Sequence, residues 1–187
     1  MRVGINKPSY IENGQPKQTS YGYLVSGGLQ ISFLSYRSPL DVVLGLEYFQ
    51  TEYQSRDKGY SAGDFKISGA DAYVAFKLHQ PDTDPDRLRP YLKGGLEVLL
   101  PLRYSSRNHI KNESTQDRTL LKKQSLGALA GLGVELERKK FGFFVEVVGG
   151  YNFSGIYNAN AISSSGAREK TEAHFRTFGL RVGARLW

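Results

Sequence analysis

The chain has no cysteine, a single methionine and a single tryptophan among its 187 residues. It also lacks any apolar run near the roughly 20 residues that a membrane-spanning helix needs. The missing cysteine excludes disulfide staples, thiolate metal centres and thiol catalysis, and agrees with export through an oxidising compartment. Histidine is scarce: His79, His109 and His174 stand far apart, with no clustered ligands at a useful metal spacing. The acidic stretch at 81–86, PDTDPD, has a calcium-like composition but lacks the glycine and terminal glutamate of a calcium loop. Its prolines suit a rigid turn. Neither a metal nor a cofactor is expected. No helical period of useful length is present, and no apolar stretch follows Met1 and Arg2, so the chain reads as a mature sequence with its signal peptide removed and a start methionine added.

What is present is alternation. From 21 to 36, Tyr21, Tyr23, Val25, Gly27, Leu29, Ile31 and Phe33 share one face while Gly22, Ser26, Gly28, Gln30 and Ser32 share the other. A period of two means β-strand. Leu40 to Tyr48, Ala70 to Leu78, Leu88 to Leu100, Leu126 to Leu136, Phe141 to Phe153 and Phe178 to Leu186 repeat the pattern, and 2–7 forms a weaker eighth strand carrying Val3 and Ile5. Soluble strands average about five or six residues, whereas a tilted strand needs about 9 to 11 to cross a bilayer. The mean hydropathy of −0.42 is compatible with this, because a barrel hides its apolar residues in alternate positions.

Connection lengths give an independent reading. The expected loops at 8–19, 54–64, 103–123 and 154–173 are long, and the connections at 37–39, 79–87 and 138–140 are shorter. Long and short alternate, as in outer-membrane barrels with short periplasmic turns and long extracellular loops. The prediction is a single domain over 1–187: an all-β, eight-stranded antiparallel up-and-down transmembrane barrel with both chain ends in the periplasm. A lipocalin-like soluble barrel would turn the same apolar face inward. Against it, the polar face is rich in glycine, including Gly45, Gly95, Gly131, Gly133 and Gly183, which suits a tight lumen better than a solvated wall.

Turning the polar parity inward puts Asp41, Glu47, Asp71, Lys77, Arg89, Lys93, Glu97, Glu135, Glu146, Arg181 and Arg185 in the lumen or at its mouth. Such charges must pair, because an isolated buried charge costs several kcal/mol. Eight strands leave an interior just wide enough for side chains, so a salt-bridged plug is favoured over a pore. Tyr21, Tyr48, Tyr104, Phe141, Tyr151, Phe153 and Trp187 lie near strand ends and read as interfacial anchors. The net charge of +7 concentrates in the loops. The loop at 103–123 carries Arg103, Arg107, Lys111, Arg118, Lys122 and Lys123, candidates for contact with lipopolysaccharide phosphates. Nucleic acid is a poor fit, because these basic residues are not interleaved with aromatics on a platform.

Four segments also resemble a known group: RPYLKGGLEV at 89–98, LGALAGLGVELE at 126–137, FVEVVGGYNF at 144–153 and the terminal VGARLW. They are similar to the small outer-membrane barrels grouped with the OmpA transmembrane domain and OmpX, and RVGINKPSY resembles the first strand of the broad outer membrane protein β-barrel domain family. The resemblance implies insertion by the barrel assembly machinery into a bacterial outer membrane. One departure is that Trp187 shares the parity of Gly183 and Arg185, where such barrels end on an outward aromatic. Some small barrels are lipid A acylases or deacylases, but no strand-borne Ser and His pattern of that kind is present. The expected role is non-enzymatic, with loops presented to lipopolysaccharide or a protein partner. Alternatives are a narrow channel or hydrophobic-solute conduit, a component of an envelope or secretion assembly, and lipid A modification. A folded barrel of this kind should resist SDS and migrate differently before and after boiling. A chain that stays soluble and monomeric without detergent would be the lipocalin-like form instead.

Overall fold

A computed structural model describes residues 1–12, 15–17, 22–33, 39–57, 60–80, 88–108, 113–116, 121–137, 141–156 and 171–186. Its strands, in chain order, are β1 (Arg2–Glu12), β2 (Gln15–Lys17), β3 (Gly22–Phe33), β4 (Leu40–Asp57), β5 (Tyr60–His79), β6 (Leu88–Asn108), β7 (Glu113–Thr115), β8 (Ser125–Glu137), β9 (Phe141–Asn152) and β10 (Thr171–Leu186). Eight of these form an antiparallel closed barrel in the order β10-β9-β8-β6-β5-β4-β3-β1, and β10 pairs with β1 to close it. The short β2 and β7 are hairpin partners of β1 and β6. The closing ladder runs from Arg2 opposite Arg181 to Glu12 opposite Thr171.

The alternation of the sequence becomes an inside and an outside. Along β4, Asp41, Val43, Glu47, Phe49, Thr51 and Tyr53 are buried, while Leu40, Leu44, Leu46 and Tyr48 are 39 to 57% exposed. The same outward belt includes Leu29, Phe76, Leu92, Leu96, Leu132, Phe143, Phe178 and Leu180, all large, apolar and exposed. A continuous apolar surface of this size is uncovered in water and covered in lipid. Charges inside and hydrocarbon outside is the arrangement of a transmembrane barrel. Because each of the eight barrel strands has two partners, the barrel wall leaves no sheet edge to meet the hydrocarbon.

Three expectations change. The segments at 8–19, 54–64, 103–123 and 154–173 are not loops throughout, because β1, β4, β5, β6 and β10 extend into them. Backbone pairing needs no apolar face, so a ladder can outlast the alternation that reveals it. His79 is the last residue of β5 rather than part of a turn. The register between β5 and β6 shifts between Ser68 and Gly69, which face Arg103 and Pro101. Leu102 is the extra residue of this bulge, and such an insertion flips the parity beyond it. Tyr104, expected at the membrane interface, therefore points inward and is 8% exposed.

Substituting a lipid-facing residue near mid-span tests the inside and outside assignment. Leu46→Arg should lower unfolding stability in lipid vesicles by about 2–4 kcal/mol. Equilibrium denaturation measures it, and an unchanged midpoint would contradict an outward Leu46.

Candidate functional site: the barrel lumen

The lumen is built in layers, each set by strand parity. Nearest the chain termini, Lys77 on β5 donates to Glu135 Oε2 on β8 at 2.6 Å and stands 3.7 Å from Asp41 Oδ2 on β4. His79 Nε2 lies 3.2 Å from the other Asp41 oxygen. Arg89 on β6 is opposite Glu135 in register and buried. Asp41 and Lys77, like Arg89 and Glu135, are cross-strand partners on neighbouring strands, and the Lys77 to Glu135 contact reaches past β6.

In the next layer Arg181 on β10 bridges two carboxylates, with Nη2 2.9 Å from Glu47 Oε1 and Nη1 2.9 Å from Glu146 Oε1. Glu146 also takes Lys93 Nζ at 2.6 Å and the Tyr91 hydroxyl at 3.0 Å, and Glu47 takes the Ser26 hydroxyl at 2.6 Å. The Tyr73 hydroxyl donates to Gln30 Oε1 at 3.1 Å, and its ring faces Arg181 at 5.0 Å and Lys93 at 5.5 Å. Tyr91 lies beneath Lys77 in the same way, at 4.8 Å. Two glycines of the inner wall make room for these rings. A Cβ at Gly45 would enter the Tyr73 ring, and one at Gly133 would meet Val145 O at 2.5 Å and the Tyr91 ring at 2.7 Å. Glycine lets each ring lie flat against the opposite strand and still reach the charges.

Towards the loop end the lumen turns apolar. Phe49, Tyr53, Ile67, Tyr104, Leu121, Ile156 and Phe175 form one buried cluster, with Tyr53 stacked on Phe65 at 5.2 Å. Leu121 and Ile156 come from outside the strands. The segments that carry them are tied together: Lys122 N donates to Ile156 O at 2.7 Å, Ser125 Oγ to Gly155 O at 2.6 Å, and Leu126 N to the Ser154 hydroxyl at 2.7 Å. Gly155 adopts a φ of 69°, a left-handed conformation that suits glycine.

Of the residues expected in the lumen, Asp41, Glu47, Asp71, Lys77, Arg89, Lys93, Glu97, Glu135, Glu146 and Arg181 are all buried there. Arg185 has its strand position in β10, but its side chain lies outside the described residues. Among the expected anchors, Tyr48, Tyr151 and Phe153 face outward at 51, 43 and 47% exposure. Tyr104 is the exception noted above. Tyr21 and Trp187 lie outside the described residues, as does the side chain of Phe141. Arg103, Arg107 and Lys123 are exposed, and Lys122 is half-buried and donates its Nζ to Ser154 O. Lys111 and Arg118 lie outside the described residues, as does His109.

Two lumen residues escaped the sequence reading. Arg2 is 3% exposed and donates to Thr177 Oγ1 at 2.6 Å. Its parity with Gly4 and Asn6 in the weak first strand was the available signal. His79 is the other, hidden by its position at the edge of an expected turn.

No protein-family model matches the chain, and no curated protein matches it in sequence. Solved structures do match. The outer membrane protein OprG from Pseudomonas aeruginosa superimposes with a TM-score of 0.54 at 11% identity, covering 100% of this chain and 94% of that one. The chain has the fold of a small outer-membrane barrel. Neisserial surface protein A, NspA, matches over 100% of this chain and 95% of its own at 13% identity, with a TM-score of 0.43. Ail, the attachment invasion locus protein of Yersinia pestis, solved with the heparin analogue sucrose octasulfate, matches over 98% and 96% at 8% identity and a TM-score of 0.36. At such identities the likeness is one of fold and carries no site residue across.

Removing the shared base should expose what the central layer contributes. Arg181→Met takes the ion-pair partner of buried Glu47 and leaves Glu146 with Lys93 alone, and should cost roughly 3–5 kcal/mol in urea unfolding. Gly133→Ala should cost about 1–3 kcal/mol by crowding the Val145 carbonyl and the Tyr91 ring, read by the same assay.

Proposed function

We propose that the protein is an integral barrel of the bacterial outer membrane that neither catalyses a reaction nor conducts ions, and that acts through the surface it presents at its loop end. The observation that carries this reading is that buried groups close the lumen at successive levels. Ion pairs occupy the terminal and central layers. The apolar cluster occupies the loop end. An ion crossing this interior would have to break at least one buried pair and pass an apolar layer, and each step opposes conduction.

The histidines support a non-catalytic role. His79 faces Asp41 deep in the barrel, and His174 Nδ1 is 3.0 Å from the Asn152 carbonyl with its ring stacked on Tyr151 at 6.2 Å. Neither arrangement resembles a nucleophile and its base. Surface chemistry at the loop end is basic: Arg103, Arg107, Lys123 and Arg176 are exposed there. Arg176 also packs over the outward Tyr151 ring at 5.7 Å. Cations beside an interfacial aromatic suit phosphate groups of the outer leaflet, so lipopolysaccharide is the first partner proposed, with a protein partner reached through the same loops.

Planar-bilayer recording should give no stepwise conductance from the wild-type barrel. In cells, replacing 109–120 and 157–170 with short glycine-serine linkers should abolish partner capture and envelope phenotypes while leaving the heat-modifiable band intact. Steady conductance would favour the channel reading. Loop replacement without any phenotype would remove the surface role.

A further inference from the structure

Between the central ion pairs and the apolar layer the lumen is not filled. A cavity of about 30 Å³ lies there, lined by Arg2, Asp71, Glu97 and Asn152 on its polar side and by Phe49 and Phe175 on its apolar side. At about 10–15 Å³ for each water-sized sphere, it has room for one small ion with a water beside it.

The charges around this cavity do not balance. Glu47, Asp71, Glu97 and Glu146 are four buried carboxylates, and Arg2, Lys93 and Arg181 are the three buried bases at their level. Arg181 is shared by Glu47 and Glu146, Lys93 is committed to Glu146, and Arg2 reaches Thr177. The register sets Asp71 directly opposite Glu47 and places Glu97, opposite Tyr73, one diagonal step away. Three carboxylates therefore follow one another across β4, β5 and β6, and when all four are ionised one negative charge has no base.

The unpaired oxygens point to the same place independently of the count. Asp71 Oδ1 and Asn152 Oδ1 have no hydrogen-bond partner, although the residues are only 3% and 1% exposed. Asn152 spends its amide nitrogen on the Ser125 hydroxyl at 2.6 Å, which leaves its oxygen for the cavity. The cavity wall is mostly apolar, and a buried acceptor that borders it without a partner calls for a positive or donating occupant.

We propose that this cavity is a binding site for one small monovalent cation, held by the Asp71 carboxylate and the Asn152 side-chain oxygen, with the Glu97 carboxylate beside it. A divalent ion fits less well. The excess is a single charge, the Arg2 guanidinium lines the same cavity, and among the described residues no three acidic or histidine side chains are grouped to hold a metal ion. Hard oxygen donors of this kind suit sodium or potassium. The occupant completes the charge balance of the layer that Arg181 organises.

The test uses the full chain refolded in detergent. Equilibrium dialysis against rubidium-86 in excess N-methylglucaminium chloride should retain one rubidium ion per wild-type barrel and at least tenfold less in Asp71→Asn. The net charge of +7 disfavours casual cation retention. Replacing N-methylglucaminium by sodium or potassium at equal ionic strength should raise the wild-type melting temperature by about 2–4 °C. Should Asp71→Asn fail to fold, Asn152→Leu removes a neutral ligand and should weaken rubidium retention without a charge change. Equal retention in both variants, or no retention by the wild type, overturns the site. So does a melting temperature that depends on pH but not on which cation is present, which would mean that a proton neutralises the carboxylates.

Discussion

The bridge from Arg181 to Glu47 and Glu146 is the interaction on which the interior depends. It joins β10, β4 and β9 across the lumen, so it exists only when the barrel has closed. Strand pairing alone is local and could proceed hairpin by hairpin. A charge that finds its partner only across the closed cylinder rewards closure itself. The desolvation of three ionised groups sets the opposing cost, and it is tolerable because Lys93, Tyr91 and Ser26 complete the shells of the two carboxylates. Buried pairs of this kind give uniqueness of arrangement more readily than net stability.

The two chemistries of the lumen then have a common logic. Ion pairs are strongest where water is excluded, yet the loop end of a barrel opens on water. The apolar layer of Phe49, Tyr53, Ile67, Tyr104 and Phe175 lies between them. It lowers the polarisability around the central charges and keeps competing water from Arg181. The bulge at Leu102 serves this arrangement. Had the alternation run unbroken through Leu102, Tyr104 would face lipid and Arg103 would face the lumen.

Much of this was legible from alternation, because a period of two sorts every strand residue to one of two faces and lipid tolerates no charge on the outer one. The inward set from Asp41 to Arg181 followed from parity alone. Tyr104 failed as an interfacial anchor, since a one-residue bulge leaves no mark on composition. The contribution of Leu121 and Ile156 was also hidden, because single apolar residues in polar connections carry no period. Pairings across the lumen, such as Lys77 with Glu135, need a register that a sequence does not state.

Because Leu121 and Ile156 belong to the connecting segments, the lumen and the outer surface are mechanically joined. The bond from Lys122 N to Ile156 O and those around Ser125 and Ser154 hold the end of one connection against the start of the next. Anything that pulls these segments outward must lift two apolar side chains from the cluster, at about 1.5–3 kcal/mol each by transfer to water. A partner at the loop end is therefore met by a surface whose base is anchored, and less of its binding energy is lost to ordering what it touches. The same anchoring fixes where a lumen substitution can be felt. A change at Phe175 or Phe49 reaches the outer surface through Leu121 and Ile156, whereas a change at Asp41 or Lys77, on the far side of the Arg181 bridge, has no such route.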